Sequence, residues 1–185
     1  MKTIIFAAML ITYTLGQQLT NLKASGLANI NIQLPNLAYK LGDTKLQLFN
    51  GVLTQRSGSI VQATLDDRIL NADFNNDGFM DAAVVLTVVY DGIGYFSKVV
   101  FVVLQDYTNG PYITNGVHIS LAIYKFDIFS MDSDNKKIIV GYVDRLPGQP
   151  KAAPPTVPTI TKLAVIDKAL AIDSSKTLDP SCYPY

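Results

Sequence analysis

The stretch that decides the fold runs from Ala82 to Tyr90, AAVVLTVVY, turns at Asp91-Gly92-Ile93-Gly94, and returns from Tyr95 to Gln105 as YFSKVVFVVLQ. Both arms are rich in β-branched and aromatic residues, which fit a pleated, packed surface. Neither arm alternates strictly between apolar and polar. A strand with one face in water does alternate, whereas a nearly continuous apolar run marks a strand covered on both faces. These two arms are expected to pair as a hairpin at the centre of a sheet.

Working outward, period-2 patterns and turn signals predict further strands. On the N-terminal side they are Ile30–Leu34 (INIQL), ending at Pro35, and Lys45–Phe49 (KLQLF), stopping at the hairpin-favouring pair Asn50-Gly51. Ser59–Leu65 and Arg68–Asn71 follow. On the C-terminal side they are His118–Tyr124, Lys125–Met131, Lys137–Val143, and a last hairpin of Thr159–Asp167 with Ala169–Asp173 around Asp167-Lys168. Residues 144–158, DRLPGQPKAAPPTVP, carry five prolines and read as an ordered, extended loop. Only residues 19–28 offer a turn or two of helix. The fold class is therefore all-β, an antiparallel sandwich or strongly curved sheet with little helix.

Residues 1–16, MKTIIFAAMLITYTLG, have a cation at Lys2, a short apolar run and small residues at the end. This is the layout of a secretory signal, and the run is shorter than the ~20 apolar residues of a membrane span. The organisation expected is a signal peptide at 1–16, a lead-in at 17–28, one β domain at 29–174 and an irregular tail at 175–185. The compartment expected is extracellular or periplasmic. No Cys follows the apolar run, so a bacterial lipid-anchor site is missing. The single cysteine, Cys182, allows no intrachain disulfide; it is either an incidental thiol or a ligand or intermolecular bridge.

Charge is balanced, 15 basic against 15 acidic residues, with no basic run, which disfavours nucleic acid and anionic membrane as partners. Every acidic residue is Asp, there is no Glu, and His118 is the only histidine. Nucleophilic triads and zinc–histidine sites need an imidazole in a particular place. Here it lies in an alternating strand pattern, where a structural role is the expectation. The composition speaks against an enzyme.

One stretch does carry chemistry. Asp73–Asp81 reads D-F-N-N-D-G-F-M-D, with oxygen-bearing side chains at the first, third, fifth and ninth places and Gly78 at the sixth. Calcium takes about six to eight oxygen ligands, so a short loop must turn oxygens inward at alternate positions. Asp73, Asn75 and Asp77 would do so, Phe79 would add its carbonyl, and Asp81 would act directly or through water. It is not an EF-hand, because Val84 stands where a bidentate Glu belongs and a strand follows. No 20–50-residue repeat accompanies it, which excludes a propeller array. The competing explanation is a metal-free turn, which Asn, Asp and Gly form unaided.

Several landmarks together resemble a family of small, uncharacterised secreted or periplasmic bacterial proteins, many of them lipoproteins. Phe49–Val52 (FNGV) is followed by Gly58–Val61 (GSIV). The acidic loop with Asp81–Leu86 (DAAVVL) is similar to a GDLNGDG-x-x-DAAV stretch. Asp91–Phe96 is similar to a glycine-rich GGSGTF turn, and Tyr142–Pro155 to an R-x-PGEP-x-x-x-PP loop. The resemblance covers residues 35–173 and implies a secreted, non-enzymatic β domain with no activity to carry over. The chain departs from the pattern at the missing lipid-anchor Cys, at Ala72 and at Gln149.

The function expected is a secreted, calcium-stabilised β domain with a binding or interaction role toward a protein or matrix partner. A structural subunit of an extracellular assembly, formed by homo-oligomerisation, is the alternative. A metal-dependent hydrolase using Asp73, Asp77 and Asp81 is disfavoured for want of a base.

Overall fold

The computed structural model describes residues 31, 33–92, 96–106, 109–120, 126–132, 136–146, 148–150 and 153–177. The signal peptide, the lead-in, the helical turns considered for 19–28 and Cys182 lie outside the described residues.

The fold is nearly all β, and its larger antiparallel sheet curls into a half-barrel. Seven strands run in chain order across that sheet: β1 (Ala38–Leu41), β2 (Thr44–Phe49), β3 (Val52–Leu53), β4 (Ile60–Ala72), β5 (Asp81–Tyr90), β6 (Phe96–Leu104) and β7 (Tyr112–Ile113). An eighth, β8 (Val117–Ser120), pairs with the other end of β6. The smaller sheet has the order β12-β11-β10-β9, built from β9 (Phe126–Met131), β10 (Lys137–Asp144), β11 (Val157–Ile166) and β12 (Ala169–Thr177). β12 thus continues past residue 174, into what the sequence suggests is tail. Among the described residues no helix is long and apolar enough to cross a membrane.

The expected central hairpin is present, with β5 and β6 in unbroken register from Ala82↔Val103 to Val89↔Phe96. Its two faces serve two apolar layers. Ala82, Val84, Leu86, Val99 and Phe101 point into the curl, against Leu34, Tyr39, Leu46 and Leu48. Ala83, Val85, Val100 and Val102 point the other way, against Ile138, Val140, Tyr142 and Leu163 of the smaller sheet. Each strand is buried on both sides, which accounts for the continuous hydrophobicity of the two runs.

Two differences from expectation have local causes. Leu34–Asn36 is a single 3-10 turn, not the end of a strand. Pro35 lies in its first positions, where a fixed φ and a missing N–H suit a helical start. The turn lays Leu34 into the core, where its carbonyl accepts the buried Tyr39 hydroxyl at 2.9 Å. The segments 59–65 and 68–71 are one strand, β4, whose register shifts between Leu65 and Ile69. Such an irregularity bends a strand and strengthens its twist, which helps the sheet curl. At Asn50-Gly51 both residues have positive φ (50° and 79°), as the hairpin pair requires.

The bend in β4 is held by charge. Asp66 receives the Arg68 guanidinium (Nη2–Oδ2 2.6 Å) and the Lys98 ammonium (3.2 Å), and Lys98 also donates to Thr87 Oγ1. Hydrogen bonding by Arg68 holds the Asp66 carboxyl well below the usual carboxylate range. The folded pKa is depressed, so the contribution is complete above the unfolded value near 4 and is lost as pH falls below it. Asp66→Asn is expected to cost about 1 kcal/mol at neutral pH, because Arg68 is partly solvated. It should also flatten the acid limb of a stability–pH curve, measured by urea unfolding below pH 4.

Candidate functional site in the acidic loop

Residues 73–80 link β4 to β5 across the open end of their pairing, which begins at Ala72↔Asp81. The loop is pinned from within by Phe74, almost fully buried in the layer between the sheets. With Phe74 inward, Asp73 and Asn75 are left to close the turn.

They do so around the backbone of Asp77. Its N–H donates to Asp73 Oδ1 (3.0 Å) and Asn75 Oδ1 (3.1 Å), and Gly78 N–H donates to Asp73 Oδ2 (2.9 Å). The Asp77 carboxylate accepts from Phe79 N–H (2.8 Å) and from the Asn75 amide (2.8 Å). Asn76 and Gly78 take positive φ (60° and 88°), the handedness that Asn tolerates and Gly adopts freely. Asp73, Asn75 and Asp77 are therefore gathered into one tight turn, with Phe79 as its exit.

Asp81 faces the other way. It has no exposed surface, and its carboxylate accepts from Phe74 N–H (Oδ2, 2.9 Å) and Gln105 N–H (Oδ1, 2.9 Å). One side chain thus ties the loop to the end of β6. Burial pushes the Asp81 carboxyl up to about 7; the two N–H donors oppose the shift, and the charges of Asp77 and Asp73 add to it. Among the described residues no three His, Cys, Asp or Glu side chains meet in an arrangement ready to hold a metal.

The loop also forms one wall of a cavity of about 160 Å³ that it shares with Leu104, Gln105, Asp106, Tyr112 and Lys168. None of these five stands out in the sequence as a site residue. The available signal was Lys168, which occupies a hairpin turn in place of the usual Gly or Asn.

His118, the only imidazole, lies on β8 with Nδ1 2.9 Å from Ser97 Oγ and its ring 6.4 Å from that of Tyr90. Desolvation holds its pKa below the usual imidazole value. Ser97 has no exposed surface, so its hydroxyl cannot reach a substrate.

No family model matches the chain, and neither a curated protein nor a solved structure does so.

Proposed function

We propose that the chain is a secreted, non-enzymatic β domain with a binding role, in which one Ca²⁺ completes the 73–81 loop. The observation that carries this reading is the setting of Asp81. A carboxylate without exposed surface feels the negative charges of Asp77 and Asp73 across the loop, and both raise its pKa. A divalent cation shared by the loop offsets that repulsion. The donor set consists of oxygens alone, from Asp73, Asn75, Asp77 and the Phe79 carbonyl, with Asp81, held by the Phe74 and Gln105 N–H groups, reaching the ion through water; such a set suits a hard ion and not zinc or copper. Asp81 keeps lone pairs beyond those engaged by the two N–H groups. When bound, the ion would supply charge neutralisation and no chemistry.

The N-terminal sequence supports secretion. In thermal unfolding, calcium at tenfold its Kd should stabilise the protein by about 1.4 kcal/mol, raising Tm by roughly 3–6 °C for a domain of this size. Asp77→Ala should erase the calcium-dependent part of that rise. Identical melting curves with calcium and with chelator would overturn the reading and leave a metal-free Asx turn.

A further inference from the structure

We infer that the cavity beside the acidic loop is a binding site for a small neutral polyhydroxylated ring, such as a single sugar unit. The inference rests on the binding role proposed above; Asn75, Asp77 and Phe79 belong both to the loop and to the cavity wall.

Four separate segments build this cavity: the 73–81 loop, the end of β6, strand β7 and the β11–β12 turn. At about 160 Å³ it is on the scale of the ~150 Å³ cavities that admit a six-membered ring. The wall chemistry narrows the class. Asp77, Asp106, Asn75, Gln105 and Lys168 line it; the Asp77 carboxylate already accepts from Asn75 and Phe79 and that of Asp106 from Asn109, and each carboxylate keeps further lone pairs. The lining carries charges of both signs, so a ligand of one sign meets repulsion as well as attraction. A neutral ligand meets no such repulsion, and a hydroxyl both donates to carboxylates and accepts from amide and ammonium N–H groups. Aromatic residues lie alongside: Tyr112, 47 % exposed, and Phe79 both line the cavity, and aromatic rings pack against ring C–H groups.

Lys168 supplies an independent reason. Its φ is +63° and that of Asp167 is +49°, so both central positions of the turn adopt a conformation that glycine takes without strain. Glycine would be the less strained residue at position 168. The side chain that stands there lies over the Tyr112 ring, Nζ 5.7 Å from the centroid, at the edge of the cavity. A strained residue whose side chain is aimed at a mixed polar and aromatic cavity fits selection for contact over stability.

The test is saturation-transfer NMR on the intact chain with glucose, galactose, mannose and N-acetylglucosamine, each with calcium and with chelator. Acetate and choline serve as charged controls. At least one sugar should show transfer at millimolar concentration. Tyr112→Ala should weaken it at least tenfold, and Lys168→Gly severalfold, while Lys168→Gly leaves Tm equal or higher. A sugar that binds with chelator as with calcium supports the site even if calcium leaves Tm unmoved, so the two readings fail separately. No transfer from any of the four sugars, stronger transfer to acetate or choline, or sugar binding untouched by both substitutions would overturn the inference.

Discussion

Replacing Asp81 with alanine should lower the stability of the calcium-free protein by about 3 kcal/mol, read as a fall in urea midpoint at unchanged m. The substitution removes the acceptor of two buried N–H groups at once, those of Phe74 and Gln105. Each orphaned donor costs about 1–3 kcal/mol, and relief of the repulsion from Asp73 and Asp77 offsets part of the sum. A loss below 1 kcal/mol would mean that the loop and β6 are not tied through this side chain. The same residue sets a pH dependence whose sign is opposite to that of Asp66. Its folded pKa, about 7, is raised above the unfolded value near 4, so the native state holds the extra proton between those limits. Stability of the calcium-free protein therefore falls as pH rises from about 4 to 7. Asp81→Asn should remove that slope, and saturating calcium, which favours the ionised form, should flatten it.

The second large effect is expected far from the loop. Gly116→Ala should cost about 2–3 kcal/mol. A Cβ at Gly116 would lie 2.6 Å from Cζ of Phe101 and 2.8 Å from Cγ1 of Val99, inside any real contact distance. Neither neighbour can yield easily. Phe101 is wholly buried and held edge-on against Tyr39 with centroids 5.1 Å apart, and Val99 is buried beside it. Phe101→Leu in the same chain should return part of the lost stability by vacating the ring position. A double mutant no better than the sum of its singles would show that the clash is relieved elsewhere.

Legibility in the sequence followed the range of the interaction. The β5–β6 hairpin was plain because burial on two faces writes itself into consecutive residues, and the turns at Asn50-Gly51 and Asp167-Lys168 are local too. β1 leaves little mark in the sequence, because AYKL is four residues long and only two of them are buried. At Leu34 the alternation is outweighed by Pro35, which opens a helical turn. The division into two sheets left no local mark, since it depends on which face of β5 meets which layer. In the site, Asp73, Asn75 and Asp77 lie within five residues of one another, and their oxygens close one tight turn. The inward swing of Asp81 could not be read, because its partner Gln105 lies 24 residues away. The same holds for Asn115, whose amide pairs with both backbone groups of Leu170, 55 residues on, and fastens β12 to the larger sheet.

The order of strands also bears on how the chain reaches this state. Among the described residues, from β1 to β7 every strand pairs with the one just made, and β9 to β12 repeat the arrangement; β8 alone reaches back past a neighbour. Most of the ladder can therefore close over short loops, whose entropic cost is small. A nascent chain could lay down each hairpin as it emerges, with little need to wait for distant sequence. Folding should be quick for an all-β protein of this length, and the slow step should be the docking of the smaller sheet, when the exposed outer face of β5 and β6 is finally covered.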